Sequence, residues 1–182
     1  MIGASQYIEY KDKFIARTIA MIEKGSLMPM ITVMGISKKD KSFNFIDLFI
    51  PNQVFDSCTI KRMYLNSIIP QIGETLLEDM SIDVVAFSSE AWIRLMEVPV
   101  GLNSKDAIPY DWEKLPIKKE MVVMLIESKG RSEPLFYNIV RSEMRVDKDG
   151  FGEKVDLVLD DDFRGGDIGG AFTGLYEKFV NG

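Results

Sequence analysis

Near the N-terminus, apolar and polar positions alternate with a helical period. Tyr7, Ile8, Phe14, Ile15, Thr18, Ile19 and Ile22 recur at spacings of three, four and seven, with Glu9, Lys13, Arg17 and Glu23 between them. That spacing predicts an amphipathic helix, which Ser5 would cap and Gly25 would end. After Pro29 the period changes. Residues 30–35 form a short apolar run, a charged turn follows, and residues 43–50 alternate with apolar side chains in both sets. The second of these strands is therefore expected to be covered on both faces. Helical spacing returns over 54–80 through Ile60, Met63, Tyr64, Ile68, Ile72, Leu76 and Leu77, with Pro70 in the middle. Proline removes a backbone donor and clashes with the preceding turn, so a kink or two abutting helices are expected there.

Residues 82–88 read as a strand that 90–94 prolong. Residues 120–127 and 134–144 are joined by Ser128-Lys129-Gly130-Arg131-Ser132, the clearest hairpin in the chain, and 154–159 make a last strand. Strands joined by short turns are antiparallel, and the helices must then cover a face of the sheet. The expected fold is α+β: a mostly antiparallel sheet of about five to six strands, with the N-terminal helix and the long kinked second helix on one face. One domain is expected over 1–159, followed by a glycine-rich tail, 160–182, whose short amphipathic segment carries Phe172, Leu175 and Phe179. Between strands, 97–117 forms a long irregular stretch holding Pro99, Gly101, Pro109 and Pro116. Loops of that length inside compact domains are often functional or ordered by a partner.

Composition narrows this picture. At 182 residues the chain suits one domain, and no apolar run approaches the roughly 18–20 residues of a membrane span. Charges interrupt the N-terminal apolar pattern, unlike a secretory signal. A single cysteine, Cys58, permits no intrachain disulfide and fits a reducing compartment, so a cytoplasmic place is expected. The net charge of −6 is poorly suited to holding a phosphate backbone, and nucleic acid is not an expected partner.

The chain contains no histidine. Its absence removes Ser-His-Asp and Cys-His hydrolysis within the chain, His-ligated zinc chemistry and the zinc deaminases; with one cysteine, thiolate zinc sites and CxxC redox motifs go too. Carboxylate, lysine, tyrosine and serine chemistry survives.

Five groupings remain as candidates. Asp160, Asp162 and Asp167 would supply oxygen ligands to Mg²⁺ or Ca²⁺, although neighbouring residues on a strand point apart and a solvated acidic strand end is the plainer reading. Asp147-Lys148-Asp149-Gly150 begins like a calcium loop, but the EF-hand positions that need oxygen ligands hold Phe151 and Val158, and a turn explains it. Gly165-Gly166-Asp167-Ile168-Gly169-Gly170 lacks the spacing of a phosphate-binding loop and reads as a hinge. Cys58, without a histidine to activate it, reads as a small buried hydrophobe. Tyr110 and Trp112 set aromatics among acids in the long loop, and serve equally as a partner patch or as packing against the sheet.

The strand Val84-Val85-Ala86-Phe87-Ser88-Ser89-Glu90-Ala91-Trp92 resembles uncharacterised proteins of bacteriophages and mobile elements. In those proteins a helix precedes a strand ending in Ser-Glu-Ala-Trp, and a later hairpin carries a charged turn. The resemblance covers about residues 30–144 and implies no activity. Within it, Glu90 and Arg94 are candidates to pair beside Trp92, set against a Trp capping a core edge with both charges solvated.

The expected function is that of a non-enzymatic accessory protein, phage- or mobile-element-encoded, acting in the host cytoplasm or virion. It would work through protein contacts or self-association, with Tyr110, Trp112, Phe172, Leu175 and Phe179 as the partner-binding residues, no cofactor and no membrane. The alternative is an enzyme acting on phosphate esters with Mg²⁺ or Ca²⁺ at Asp160, Asp162 and Asp167.

Overall fold

A computed structural model describes residues 2–25, 27–94, 117–146, 150–160 and 172–181, and of 92–94, 117–118, 143–146 and 150–153 the backbone alone. Helix α1 (Ala4–Glu23) buries Tyr7, Tyr10, Phe14, Thr18 and Ile22, about one residue per turn. Ile8 falls on its outer side. Gly3, rather than Ser5, occupies the N-cap, and the helix ends at Lys24, ahead of Gly25. There follow β1 (Met30–Ser37), β2 (Phe43–Phe49), a 3₁₀ turn (Asn52–Phe55) and α2 (Cys58–Met63), which Ser57 caps by accepting the Ile60 N–H at 3.2 Å. A π turn (Tyr64–Ile68) links α2 to α3 (Ile69–Asp79). Pro70 sits at the start of α3. Its ring would press on the carbonyl of Asn66 in an unbroken α-helix, and the wider turn lies over that carbonyl. The irregularity expected at Pro70 is therefore a π turn placed just before it.

Strands β3 (Met80–Arg94), β4 (Ile117–Ser128), β5 (Arg131–Val146) and β6 (Gly150–Leu159) complete a six-stranded sheet of order β2-β1-β3-β4-β5-β6, every neighbouring pair antiparallel. The α+β class and the antiparallel sheet are as the sequence predicts. None of the described helices is long and apolar enough to cross a membrane.

The helices, however, lie on opposite faces of the sheet rather than sharing one. On one side Tyr7, Tyr10, Phe14 and Ile22 of α1 pack with Met30, Met34, Val84, Ala86, Val122, Met124, Leu135 and Val155. On the other, Leu65 and Ile69 pack with Ile31, Val33, Val85, Phe87 and Leu125. The reason is visible in β1 and β3: consecutive residues are both apolar and both buried, so each face needs its own cover. Strand β2, expected to be covered twice, sends Phe43 and Phe45 to the α1 side and Ile46 and Leu48 to the other.

A bulge gives β3 its change of sides. The β1–β3 register shifts between Met34 and Gly35, where Val84 and Ile82 are the successive partners and Asp83 is the extra residue. Met80 and Ile82 consequently join the α3 side, whereas Val84 and Ala86 face α1.

The last described element, α4 (Leu175–Asn181), lies against α3 and β3. Leu175 and Phe179 are 0% and 1% exposed, and Phe172 stacks on Phe87 with ring centroids 4.4 Å apart. Residues 172–181, expected to belong to a tail beyond the domain, pack into its core.

Candidate functional site

The positions singled out from the sequence fare differently. Phe172, Leu175 and Phe179 do not form an exposed docking stripe, because their apolar area is spent inside this chain, over β3 and the adjoining part of β4. A buried carboxylate fixes that arrangement. Glu127, 4% exposed, accepts the N–H of Gly174 at 2.9 Å and of Tyr176 at 3.1 Å, and the Ser132 hydroxyl donates to it at 3.3 Å. Gly174, at φ +72°, supplies the left-handed turn that aims its N–H at the carboxylate.

Tyr110 and Trp112 lie outside the described residues. Glu90 accepts the backbone N–H of Leu27 at 2.7 Å, tying the link between α1 and β1 to the sheet. Trp92 and Arg94 continue β3, opposite Glu120 and Ile117, and their side chains are outside the described set. Asp160 is paired with Lys119 and accepts from the Asn138 side-chain amide at 3.1 Å. Its carboxylate is thus held by a cation rather than offered to one. Asp162 and Asp167 lie outside the described residues, among which no three Cys, Asp or Glu side chains gather as a metal would require. Cys58, read from the sequence as buried, is exposed: it opens α2 at the surface, where the helical pattern has not yet begun to face the core.

Sequence reasoning missed a carboxylate on the α1 side. Glu133 accepts from the Tyr7 hydroxyl at 2.9 Å, from Lys11 at 2.5 Å and from Arg131 at 3.0 Å. Burial alone would raise its pKa, but the hydrogen bonds from Lys11 and Tyr7 and the charges of Lys11 and Arg131 together hold it below the usual carboxylate range. The Arg131 guanidinium lies 3.7 Å from the centre of the Tyr7 ring. Nearby, Tyr10 donates to Asp83 at 2.8 Å. These contacts join α1 to the β4–β5 hairpin and to the β3 bulge, and every acid in them already has a donor.

The surface best suited to recognition is the end of the sheet formed by β5 and β6. On the side away from α1, the described helices cover β2, β1, β3 and part of β4, and none of the residues they bury comes from β5 or β6. There Val140 is 45% exposed and Val158 50%, diagonal neighbours across the β5–β6 register. Strand β6 is also the sheet edge, with one side of its backbone hydrogen bonds turned outward and no partner among the described strands. Lys154 and Asp156 stand exposed along it, 2.9 Å apart.

No family model, curated protein or solved structure matches the chain.

Proposed function

We propose that the chain is a non-enzymatic accessory protein that acts through protein contacts, the first of them with a second copy of itself along β6. The observation that carries this reading is the edge of β6, which has no partner among the described strands, together with its charge order. Two β6 strands paired antiparallel about Val155 set Lys154 of one copy opposite Asp156 of the other, twice by symmetry. Cross-strand pairs of opposite charge stabilise such a register and like charges oppose it. Val140 and Val158 extend the contact onto the face that no described helix covers. The resemblance of Ser89-Glu90-Ala91-Trp92 to bacteriophage and mobile-element proteins is the ground for placing the chain among their accessory proteins.

Light scattering coupled to size exclusion tests the reading. The protein is expected to dimerise, Lys154→Asp to weaken the dimer by placing acids opposite acids, and the exchange Lys154→Asp with Asp156→Lys to restore it. A protein that stays monomeric at the highest attainable concentration, or a dimer indifferent to both variants, defeats the proposal. The metal-dependent alternative gains no support from Asp160, whose carboxylate is engaged by Lys119.

A further inference from the structure

A cleft of about 440 Å³ opens between α2 and the C-terminal segment, lined by Cys58, Lys61, Arg62, Leu65, Asn66, Thr173 and Lys178. Every charged side chain in that lining is a cation. Among the described residues no carboxylate pairs with Lys61, Arg62 or Lys178. Lys178 donates to the Asn66 side-chain oxygen at 2.7 Å, which joins the two walls. Lys61 lies 5.7 Å from the centre of the Phe55 ring and 5.5 Å from that of Phe172, so its position is set by two aromatic faces.

This arrangement runs against the composition of the chain. The protein carries a net charge of −6, yet three cationic side chains from two separate elements line one concavity. Like charges lining one concavity repel. An anion with two or three charges removes that repulsion. A single carboxylate balances only one of the three cations, whereas a phosphate monoester carries about two charges near neutrality and a diphosphate more. Arg62 supplies a planar fork and the lysines compact point charges, a donor set matched to phosphate oxygens. The volume falls in the range of about 300–1,000 Å³ usual for small-molecule sites.

We infer that this cleft binds a phosphorylated small molecule, with Lys61, Arg62 and Lys178 holding the phosphate groups. The chain carries its own reporter, since Cys58 is the single cysteine, is exposed and lines the cleft. The experiment follows the rate at which a neutral alkylating reagent, iodoacetamide, modifies Cys58 in the full-length protein. Pyrophosphate, a nucleoside diphosphate and a sugar phosphate are titrated separately, against sodium chloride of matched ionic strength.

Saturable slowing of alkylation by several-fold is expected with pyrophosphate and not with chloride. The nucleoside diphosphate and sugar phosphate arms decide which organic group is preferred. Lys61→Gln combined with Lys178→Gln is expected to weaken protection at least tenfold, and Lys24→Gln, away from the cleft, to leave it unchanged. Thermal melting checks that the variants remain folded, and a rise in the wild-type melting temperature on adding pyrophosphate gives an independent readout. Equal slowing by chloride overturns the inference. So does protection that survives the double substitution, or the absence of protection by every phosphate compound.

Discussion

Gly73 of α3 meets Phe179 of α4 backbone to backbone: a Cβ added at Gly73 would lie 2.3 Å from the Phe179 carbonyl oxygen and 2.8 Å from its Cα. Helix α4 reaches the core because position 73 carries no side chain. In an isolated helix Gly→Ala is favourable by about 1 kcal/mol. Here the expected sign is reversed. Gly73→Ala should destabilise the protein by about 1–3 kcal/mol, since a backbone cannot move aside as a side-chain tip can. Urea denaturation gives the sign directly, and a stabilised variant would show that α4 does not seat against α3.

Gly35 makes a second tight contact, at the β-bulge. Its added Cβ would stand 1.8 Å from the Ser81 carbonyl oxygen. Gly35→Ala is expected to cost about 3 kcal/mol or to leave the protein insoluble, because the bulge sorts β3 residues between the two cores. Gly130→Ala, in a turn with open space around it but φ +72°, should cost less, about 1 kcal/mol. Comparing the two denaturation midpoints checks the order.

Glu127 offers a prediction specific to α4. Glu127→Ala leaves the N–H groups of Gly174 and Tyr176 without their acceptor, at an expected cost of about 2–3 kcal/mol. Glu127→Gln keeps one acceptor oxygen and should lose less. Hydrogen exchange at the Tyr176 amide ought to accelerate in both variants relative to amides in β1. Uniform acceleration throughout the protein would instead indicate a global effect.

The pH dependence follows from the buried phenols. Burial, followed by the hydrogen bond to Asp83, pushes Tyr10 up to about 12. Burial and the Glu133 bond also raise Tyr7 well above its ordinary value. A phenol whose folded pKa exceeds its unfolded value of about 10 stabilises the fold fully below that pH, and the contribution is lost as pH rises through the folded value. Urea midpoints should therefore be insensitive to these groups up to about pH 10 and fall between about pH 10 and 12. Tyr10→Phe should flatten part of that fall while lowering stability at neutrality.

Much of the architecture was legible in the sequence because period is a local property. The spacing of Tyr7, Phe14, Thr18 and Ile22 is that of one helix face wherever the helix lies, and Pro70 interrupts a helical pattern whatever surrounds it. Tyr10 and Ile8 show the limit: both fit a helix, yet only Tyr10 is buried, because the face chosen depends on what α1 lies against. The candidate sites were less legible for the same reason. Lys61 and Arg62 are neighbours in the sequence, but only the fold of α4 sets Lys178 in the same cleft. In the sequence Asp160 is one candidate ligand beside a plainer reading as a solvated strand end, and only the fold of β4 sets Lys119 against it.

The sequence by itself determined the secondary elements, the α+β class and the loss of histidine chemistry, since each follows from residue identity and spacing. The tertiary structure decided which face each helix covers, that Phe172, Leu175 and Phe179 belong to the core, and which charges meet. Those outcomes depend on contacts between residues far apart in the chain, which periodicity does not encode.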